Sequence, residues 1–313
     1  MKLIDPQFSD CGIVIRKTNN AYVIETLRGR LTCELAGRLM NGTHADPVAI
    51  GDIVRWIEIG PDTGQIVEVL PRRNQLARRS AAPMPSAHAH EHIIAANVDQ
   101  IVAVFAAANP RPAWNLLDRF LVSAESAGIP AVICLTKMDL VEGRPEAEEI
   151  RAVMAEYQAI GYPVILTSAV TSAGLNKLDA ALSERLSVLA GKSGVGKTSL
   201  LNALEPGLGL RVQETSRSTG KGRHTTTHFE MFSLASGGAI VDTPGIREFG
   251  LWDVEQDDLA LFFPEMRPFV GTCKFRLDCG HDQEPGCAIR QAVELGTISP
   301  YRYQSYLKLR QQP

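Results

Sequence analysis

The 313-residue sequence lacks any apolar run long enough to cross a bilayer, and Met1-Lys2-Leu3-Ile4-Asp5 does not open a secretory leader. No membrane role is expected, and the cytoplasm is the expected location. An overall charge is lacking too. With 32 Lys and Arg against 35 Asp and Glu the formal net charge is −3, so contact with nucleic acid has to come from a local patch. The six cysteines of so long a chain do not look like a secreted disulfide framework. Cys11, Cys33 and Cys134 stand in apolar, strand-like contexts and read as buried thiols. The length suits two or three domains with real cores, and the chain is expected to act as a monomer.

Against these absences, one loop pattern is complete. Gly191-Lys192-Ser193-Gly194-Val195-Gly196-Lys197-Thr198 fits Gly-x-x-x-x-Gly-Lys-Ser/Thr without mismatch. Glycines let consecutive N–H groups curl around phosphates, and the N-terminus of the following helix adds partial positive charge. The flanks agree: Leu186-Ser187-Val188-Leu189-Ala190 reads as a short buried strand, and a helix starts with Ser199-Leu200-Leu201-Asn202-Ala203-Leu204. In such a loop Lys197 reaches the β- and γ-phosphates and the Thr198 hydroxyl sits on Mg²⁺.

A phosphate loop does not choose the base. Thr136-Lys137-Met138-Asp139 does, because the Asp139 carboxylate only accepts hydrogen bonds and so suits the N1–H and N2–H₂ edge of guanine. The Lys137 stem can lie over the purine face. The motif closes the apolar strand Ala131-Val132-Ile133-Cys134-Leu135, where open α/β sheets bind ligands. Ser168-Ala169 ends the next strand, from Pro163 to Thr167, and the Ala169 N–H can meet guanine O6. GTP and GDP are the ligands expected.

After Gly238-Ala239-Ile240-Val241 come Asp242-Thr243-Pro244-Gly245: Asp242 can hold Mg²⁺ through a water, and the Gly245 N–H can sense a γ-phosphate. The next residue, Ile246, is aliphatic and cannot orient water, so hydrolysis needs another group or a partner. Gly222-Arg223-His224-Thr225-Thr226-Thr227-His228 lies between the two phosphate-sensing motifs. There Thr226 is assigned to Mg²⁺, and His224 is either a solvated loop histidine or the group that activates the water. The order of all five motifs is rotated: the guanine motifs, which normally close such a domain, precede the phosphate loop. Rotation also runs the Asp242–Gly245 switch straight into the C-terminal segment, which suggests that nucleotide state pulls on that segment.

Residues 1–80 are read as an OB-like β-barrel domain, residues 81–252 as a doubly wound, circularly permuted α/β GTPase domain and residues 253–313 as a zinc-binding segment with helices. Five short strands in the first part, at residues 12–16, 21–25, 30–34, 52–56 and 64–69, are separated by turn residues. Such a barrel often binds RNA, though it also serves as a plain docking module. Pro71 opens a basic connector with Arg72, Arg73, Arg78 and Arg79, and residues 81–92, with His88, His90 and His92, read as a mobile linker. A helix over residues 113–127 has one apolar side of Leu116, Leu117, Phe120, Leu121 and Ala124. At the other end Cys273, Cys279, His281 and Cys287 offer three thiolates and one imidazole, the donor set of a closed structural zinc site. Ser299-Pro300 reads as the start of a last helix, whose Tyr301, Arg302, Tyr303, Tyr306, Lys308 and Arg310 suit either an RNA surface or docking on the zinc segment.

Together the rotated order, the barrel and the Cys-Cys-His-Cys segment resemble the ribosome small-subunit-dependent GTPase A family of circularly permuted GTPases. The resemblance rests on Asn97-Val98-Asp99, residues 191–198, 222–227 and 242–250, and Glu284-Pro285-Gly286-Cys287. It implies a factor of late 30S maturation whose partners are the 30S subunit and 16S rRNA and whose GTP hydrolysis the subunit stimulates. It also implies that the histidine matching His224 is catalytic, with Lys197 and Thr226 beside it. The family separates its first two cysteines by four residues, whereas five, Lys274 to Asp278, stand here. Two rival readings are a permuted GTPase of the large subunit and a nucleotide-gated RNA-binding module with little hydrolysis.

Overall fold

The computed structural model describes residues 10–18, 21–40, 47–79, 91–208, 230–242 and 254–311. The N-terminal part consists of β1 (Cys11–Lys17), β2 (Tyr22–Thr26), β3 (Gly29–Leu35), a short α1 (Gly37–Met40), β4 (Ile53–Gly60) and β5 (Thr63–Val69). Their order β1-β2-β3-β5-β4 closes on itself through β1–β4, and only β3–β5 is parallel. This is the expected barrel. Alternation fills it: Val14, Ile24, Cys33, Val54 and Ile66 are fully buried while their chain neighbours on β2 and β5 are at least partly exposed. Gly64 sits close to the opposite strands: a Cβ there would stand 3.0 Å from the Cys33 sulfur and 3.1 Å from the Trp56 ring, so both would have to give way.

The basic connector is more ordered than the sequence suggests. Strands β6 (Gln75–Arg79) and β7 (Glu91–Ala96) form an antiparallel ribbon, with Leu76, Ile94, Ala95 and Ala96 buried. Residues 80–90, with His88 and His90, lie outside the described residues. Polar side chains tie the ribbon to its surroundings. Asn74 exchanges two 2.8 Å hydrogen bonds with the Val98 backbone; Asn97 accepts from Arg73 N (2.9 Å) and donates to Gly51 O (3.0 Å); Asp99 accepts from Leu186 N (2.8 Å). The Asn97-Val98-Asp99 motif is thus a joint between barrel, ribbon and sheet.

The nucleotide domain alternates β8 (Gln100–Ala106), α2 (Trp114–Ser126), β9 (Ala131–Thr136), α3 (Pro145–Ile160), β10 (Val164–Leu166), α4 (Leu175–Leu182), β11 (Leu186–Ala190) and α5 (Lys197–Leu204), then β12 (Glu230–Ser233) and β13 (Ala239–Asp242). Strand order is β10-β9-β8-β11-β13-β12, parallel except for β12. Helices cover both faces. Leu117, Phe120, Leu121 and Ala124 of α2 join one core, and Leu178, Leu182, Leu200 and Leu201 of α4 and α5 join the other. A bridge between Arg16 and Glu230 runs barrel and domain into one 11-stranded sheet.

The C-terminal part carries short 3₁₀ turns, α6 (Ala288–Glu294) and α7 (Pro300–Arg310). The sequence leaves the α7 tyrosines between RNA and docking, and the structure docks two of them and leaves Tyr301 exposed. Tyr303 and Tyr306 are buried, donating to the His281 carbonyl (2.7 Å) and the Gly280 carbonyl (3.2 Å). Arg302, 1% exposed, binds Glu265 through Nε (2.7 Å) and Nη2 (3.2 Å) and Asp118 of α2 through Nη1, and packs on the Phe263 ring at 4.6 Å. Tyr157 of α3 donates to the same Asp118 oxygen at 2.7 Å. Burying one cation against two carboxylates is favourable only while all partners stay, so Arg302→Ala leaves two buried anions uncompensated. A loss of about 3–5 kcal/mol is expected, read as a lower midpoint in chemical denaturation; an unchanged midpoint would show that Arg302 does not hold the C-terminal part in place.

Candidate nucleotide site and metal centre

Parallel pairing brings the ends of β8, β9, β10 and β11 to one edge of the sheet, and the sequence motifs are the loops at that edge. The phosphate loop leaves β11 at Gly191, where a Cβ would stand 2.3 Å from the Val104 carbonyl oxygen. Gly194 (φ +82°) and Gly196 (φ +97°) adopt left-handed backbone, and Gly196 caps α5. Lys197 Nζ lies over the loop, donating to the carbonyls of Gly191 and Lys192 (3.1 Å). Thr198 is half-buried in the first turn of α5, and Lys192 and Ser193 are exposed at the loop's crest.

Two ties hold the Thr136–Asp139 loop to this one, and a third joins it to the Ser168 loop. The Thr136 hydroxyl sits between the carbonyls of Val195 and Phe105 (3.2 Å). Lys137, itself left-handed (φ +58°), donates from Nζ to the Gly194 carbonyl (2.7 Å) and to that of Asn109. Burial lowers the Lys137 pKa, with the Asp139 carboxylate opposing that shift. Asp139 Oδ1 accepts from the Ser168 hydroxyl at 2.6 Å, while Ser168 Oγ accepts from Val170 N (3.2 Å) and Thr171 N (3.1 Å). Ser168 is buried and Ala169 half-buried at the loop mouth. A carboxylate held this way keeps one oxygen free for a donor edge.

Asp242 ends β13, where its Cα pairs with Leu189, two residues before Gly191. Its side chain, together with His224, Thr226 and Gly245, lies outside the described residues. Sequence reasoning missed Asn109, whose left-handed backbone (φ +48°) turns its carbonyl toward Lys137. An asparagine just past β8 is the signal that was available.

The second site is the Cys-His cluster. The four donor atoms of Cys273, Cys279, His281 and Cys287 lie within 4.8 Å of one another, and all four residues are buried. Cys273 Sγ is 3.9 Å from Cys287 Sγ, and both sulfurs are 3.5 Å from His281 Nδ1. A tetrahedral centre with metal–sulfur bonds of about 2.3 Å and metal–nitrogen bonds of about 2.0–2.1 Å has edges of about 3.8 and 3.5 Å. The cluster therefore fits one tetrahedral metal ion. Burial, with the neighbouring thiols, pushes the Cys279 thiol up to about 12, and burial lowers the His281 pKa, so a metal ion has to displace thiol protons. Between Cys273 and Cys279, Arg276 turns left-handed (φ +50°) and Leu277 stands outward, 76% exposed. Glu284 holds the other loop by accepting from Gly280 N and Asp282 N, both at 2.8 Å.

A phosphate loop on the central strand, with its guanine-reading loops supplied by strands that come earlier in the chain, defines a circularly permuted P-loop GTPase. The family model described as RsgA GTPase matches residues 69–252. Over 306 residues the chain is 45% identical to the small ribosomal subunit biogenesis GTPase RsgA of Gemmatimonas aurantiaca, covering 96% of this chain and 97% of that protein. It is 47% identical over 296 residues to the protein of the same name from Pseudomonas aeruginosa, covering 94% and 83%. Among solved structures, YjeQ from Thermotoga maritima superposes with a TM-score of 0.77 at 31% identity, covering 96% of this chain and 97% of that one. YloQ, a circularly permuted GTPase, gives 0.74 at 33% identity, covering 96% and 93%. The chain belongs to the RsgA GTPase family.

Thr136→Val removes the hydroxyl shared by two carbonyls while keeping the shape. A loss of about 1 kcal/mol is expected, roughly fivefold weaker binding of a fluorescent GDP. Unchanged affinity would show that the tie to Val195 does not position the base-reading loop.

Proposed function

We propose that this protein is a GTPase of small ribosomal subunit maturation, hydrolysing GTP to GDP and phosphate when seated on the 30S subunit. The observation that carries this reading is that its likeness to proteins named as small ribosomal subunit biogenesis GTPases runs over 96% of the chain, through barrel, nucleotide domain and metal module alike. Among the described residues no helix is long and apolar enough to cross a membrane. The reading takes the protein as a cytoplasmic monomer, with 16S rRNA met by the barrel within residues 1–80. Nothing favours action on the large subunit or a role without hydrolysis.

In this reading residues 191–198 cradle the phosphates, with Lys197 against the β- and γ-oxygens. Asp139 reads the guanine edge, steadied by Ser168; Lys137 and Thr136 line the base, and Ala169 N–H meets O6. Thr198, Thr226 and Asp242 would hold Mg²⁺, and the pairing of Asp242 with Leu189 supports that set by placing it beside the strand that leads into the loop. The ion supplies charge neutralisation between the β- and γ-phosphates when bound. His224 orients the attacking water, because Ile246 cannot, and Gly245 responds to the γ-phosphate. Cys273, Cys279, His281 and Cys287 hold zinc in a structural role, with no position left open for chemistry.

GTP turnover is expected to rise with purified 30S subunits and not with 50S subunits; equal stimulation by both would overturn the subunit assignment. His224→Ala should lower the stimulated rate by about 10²–10⁴-fold, the usual range for a general acid–base group, with GTP affinity retained. For the metal centre, one zinc per chain is expected by elemental analysis. Glu284→Ala, which frees the Gly280 and Asp282 N–H groups, is expected to weaken zinc retention against a chelator by about 10–100-fold; retention equal to the parent would remove Glu284 from the site.

A further inference from the structure

The edge of β1 is shared between two partners. Cys11, Gly12 and Ile13 pair with Arg55, Val54 and Ile53 of β4 and close the barrel, whereas Arg16 pairs with Glu230 of β12. The change of partner coincides with a register shift between Val14 and Arg16 in the β1–β2 pairing. Such an irregularity re-aims the strand, and β1 then covers the outer edge of β12. The side chains repeat the contact: Arg16 Nε donates to Glu230 Oε1 at 2.9 Å, with Nη2 on the same oxygen.

What lies behind Glu230 gives the contact its meaning. Glu230 pairs with Asp242 across the β12–β13 hairpin, and Asp242 pairs with Leu189 of β11. Arg16, Glu230, Asp242 and Leu189 therefore stand in one row across the sheet. At about 4.8 Å per strand step the row spans roughly 14 Å, and it ends two residues short of the phosphate loop. In sequence, β12 directly follows the segment with His224 and Thr226, and β13 ends in the residue that opens Asp242–Gly245. The hairpin gripped by the barrel is thus the strand pair between the two segments assigned to the γ-phosphate.

The barrel is pinned elsewhere at its base. Ile50 bridges Ala95, Ala96 N donates to the Ile50 carbonyl at 2.8 Å, and a Cβ on Gly51 would stand 2.2 Å from the Ala96 carbonyl oxygen. Away from this base and its buried cluster, the barrel meets the hairpin at the paired residues Arg16 and Glu230, so a shift of the barrel rim against β12 changes that contact. That ion pair is half-open to water, with side chains 47% and 33% exposed, so it can re-form or part at little cost. Such a contact suits a coupling better than a lock.

We propose that Arg16 and Glu230 are positioning residues that couple the seating of the barrel to the γ-phosphate-responsive hairpin, so that barrel contact sets GTP turnover and nucleotide state sets the barrel's grip. The proposal rests on the GTPase reading above; thermodynamic reciprocity applies to its binding half, the two affinities shifting each other by one factor.

The test uses the full chain with Arg16→Glu, Glu230→Arg and the double reversal. With 30S subunits present, each single change is expected to cut the stimulation of turnover by about 2- to 5-fold, the weight of an exposed ion pair, with basal turnover unchanged, and the double reversal to restore it. Full stimulation in both single variants, or a double variant no better than the singles, would overturn the coupling. Amide hydrogen exchange over residues 11–17, compared between GDP and a non-hydrolysable GTP analogue without ribosomes, gives a second arm. A nucleotide-dependent difference in the parent that vanishes in the singles and returns in the double supports the coupling even if 30S subunits do not stimulate the parent, a result that would instead sink the subunit assignment. No such difference in the parent overturns the coupling.

Discussion

Parallel hydrogen bonding among β8, β9, β10, β11 and β13 is the constraint from which the site follows. Parallel strands deliver all their outgoing loops to one edge, whatever their order along the chain. Cutting and rejoining such a chain moves its ends and leaves the edge intact. The base-reading loops can therefore be made first and the phosphate loop later, provided that contacts close the seam. Here the seam is closed by Thr136 on Val195 and Lys137 on Gly194, while Asp139 on Ser168 joins the two earlier loops. The first two join loops about sixty residues apart through a hydroxyl and an ammonium that donate to backbone carbonyls.

The modules flanking this sheet are joined to it in different ways. The metal module is held to α2 and α3 by the buried triad of Arg302, Asp118 and Glu265, by Arg267 on Glu125 (2.7 Å) and by Ser299 on Glu156 (2.8 Å). It shares a core with Val122 of α2. The barrel is joined by a buried cluster that runs from Val14 and Ile50 to Ile101 and Val188, by the Ile50–Ala95 bridge and the Asn74–Asp99 joint, and at its rim by the half-open Arg16–Glu230 contact. The expectation drawn from motif order, that the switch moves the metal module, concerns residues 243–253, which lie outside the described residues.

The sequence made the barrel strands, the phosphate loop and the metal donors legible because each obeys a local rule: alternation of apolar residues, glycine spacing, or thiol clustering. The ribbon β6–β7 escaped because Gln75 to Arg79 shows no alternation, and burial of Leu76 is set by a tertiary neighbour. Arg302 escaped for a related reason. A cation beside tyrosines on a terminal helix reads as a surface, and only the fold brings Asp118, 184 positions earlier, against it. Thr136 was read as part of a base-binding motif, and nothing in its spacing shows that its hydroxyl also meets the Phe105 and Val195 carbonyls. Long-range partners leave no trace in spacing.

The knuckle between Cys273 and Cys279 carries a different lesson. A left-handed turn at Arg276 stands Leu277 outward, while the Gly280 and His281 carbonyls accept from the tyrosine hydroxyls of α7. The same tip is a place where a short tag or a photo-reactive amino acid can be grafted to mark what the module touches.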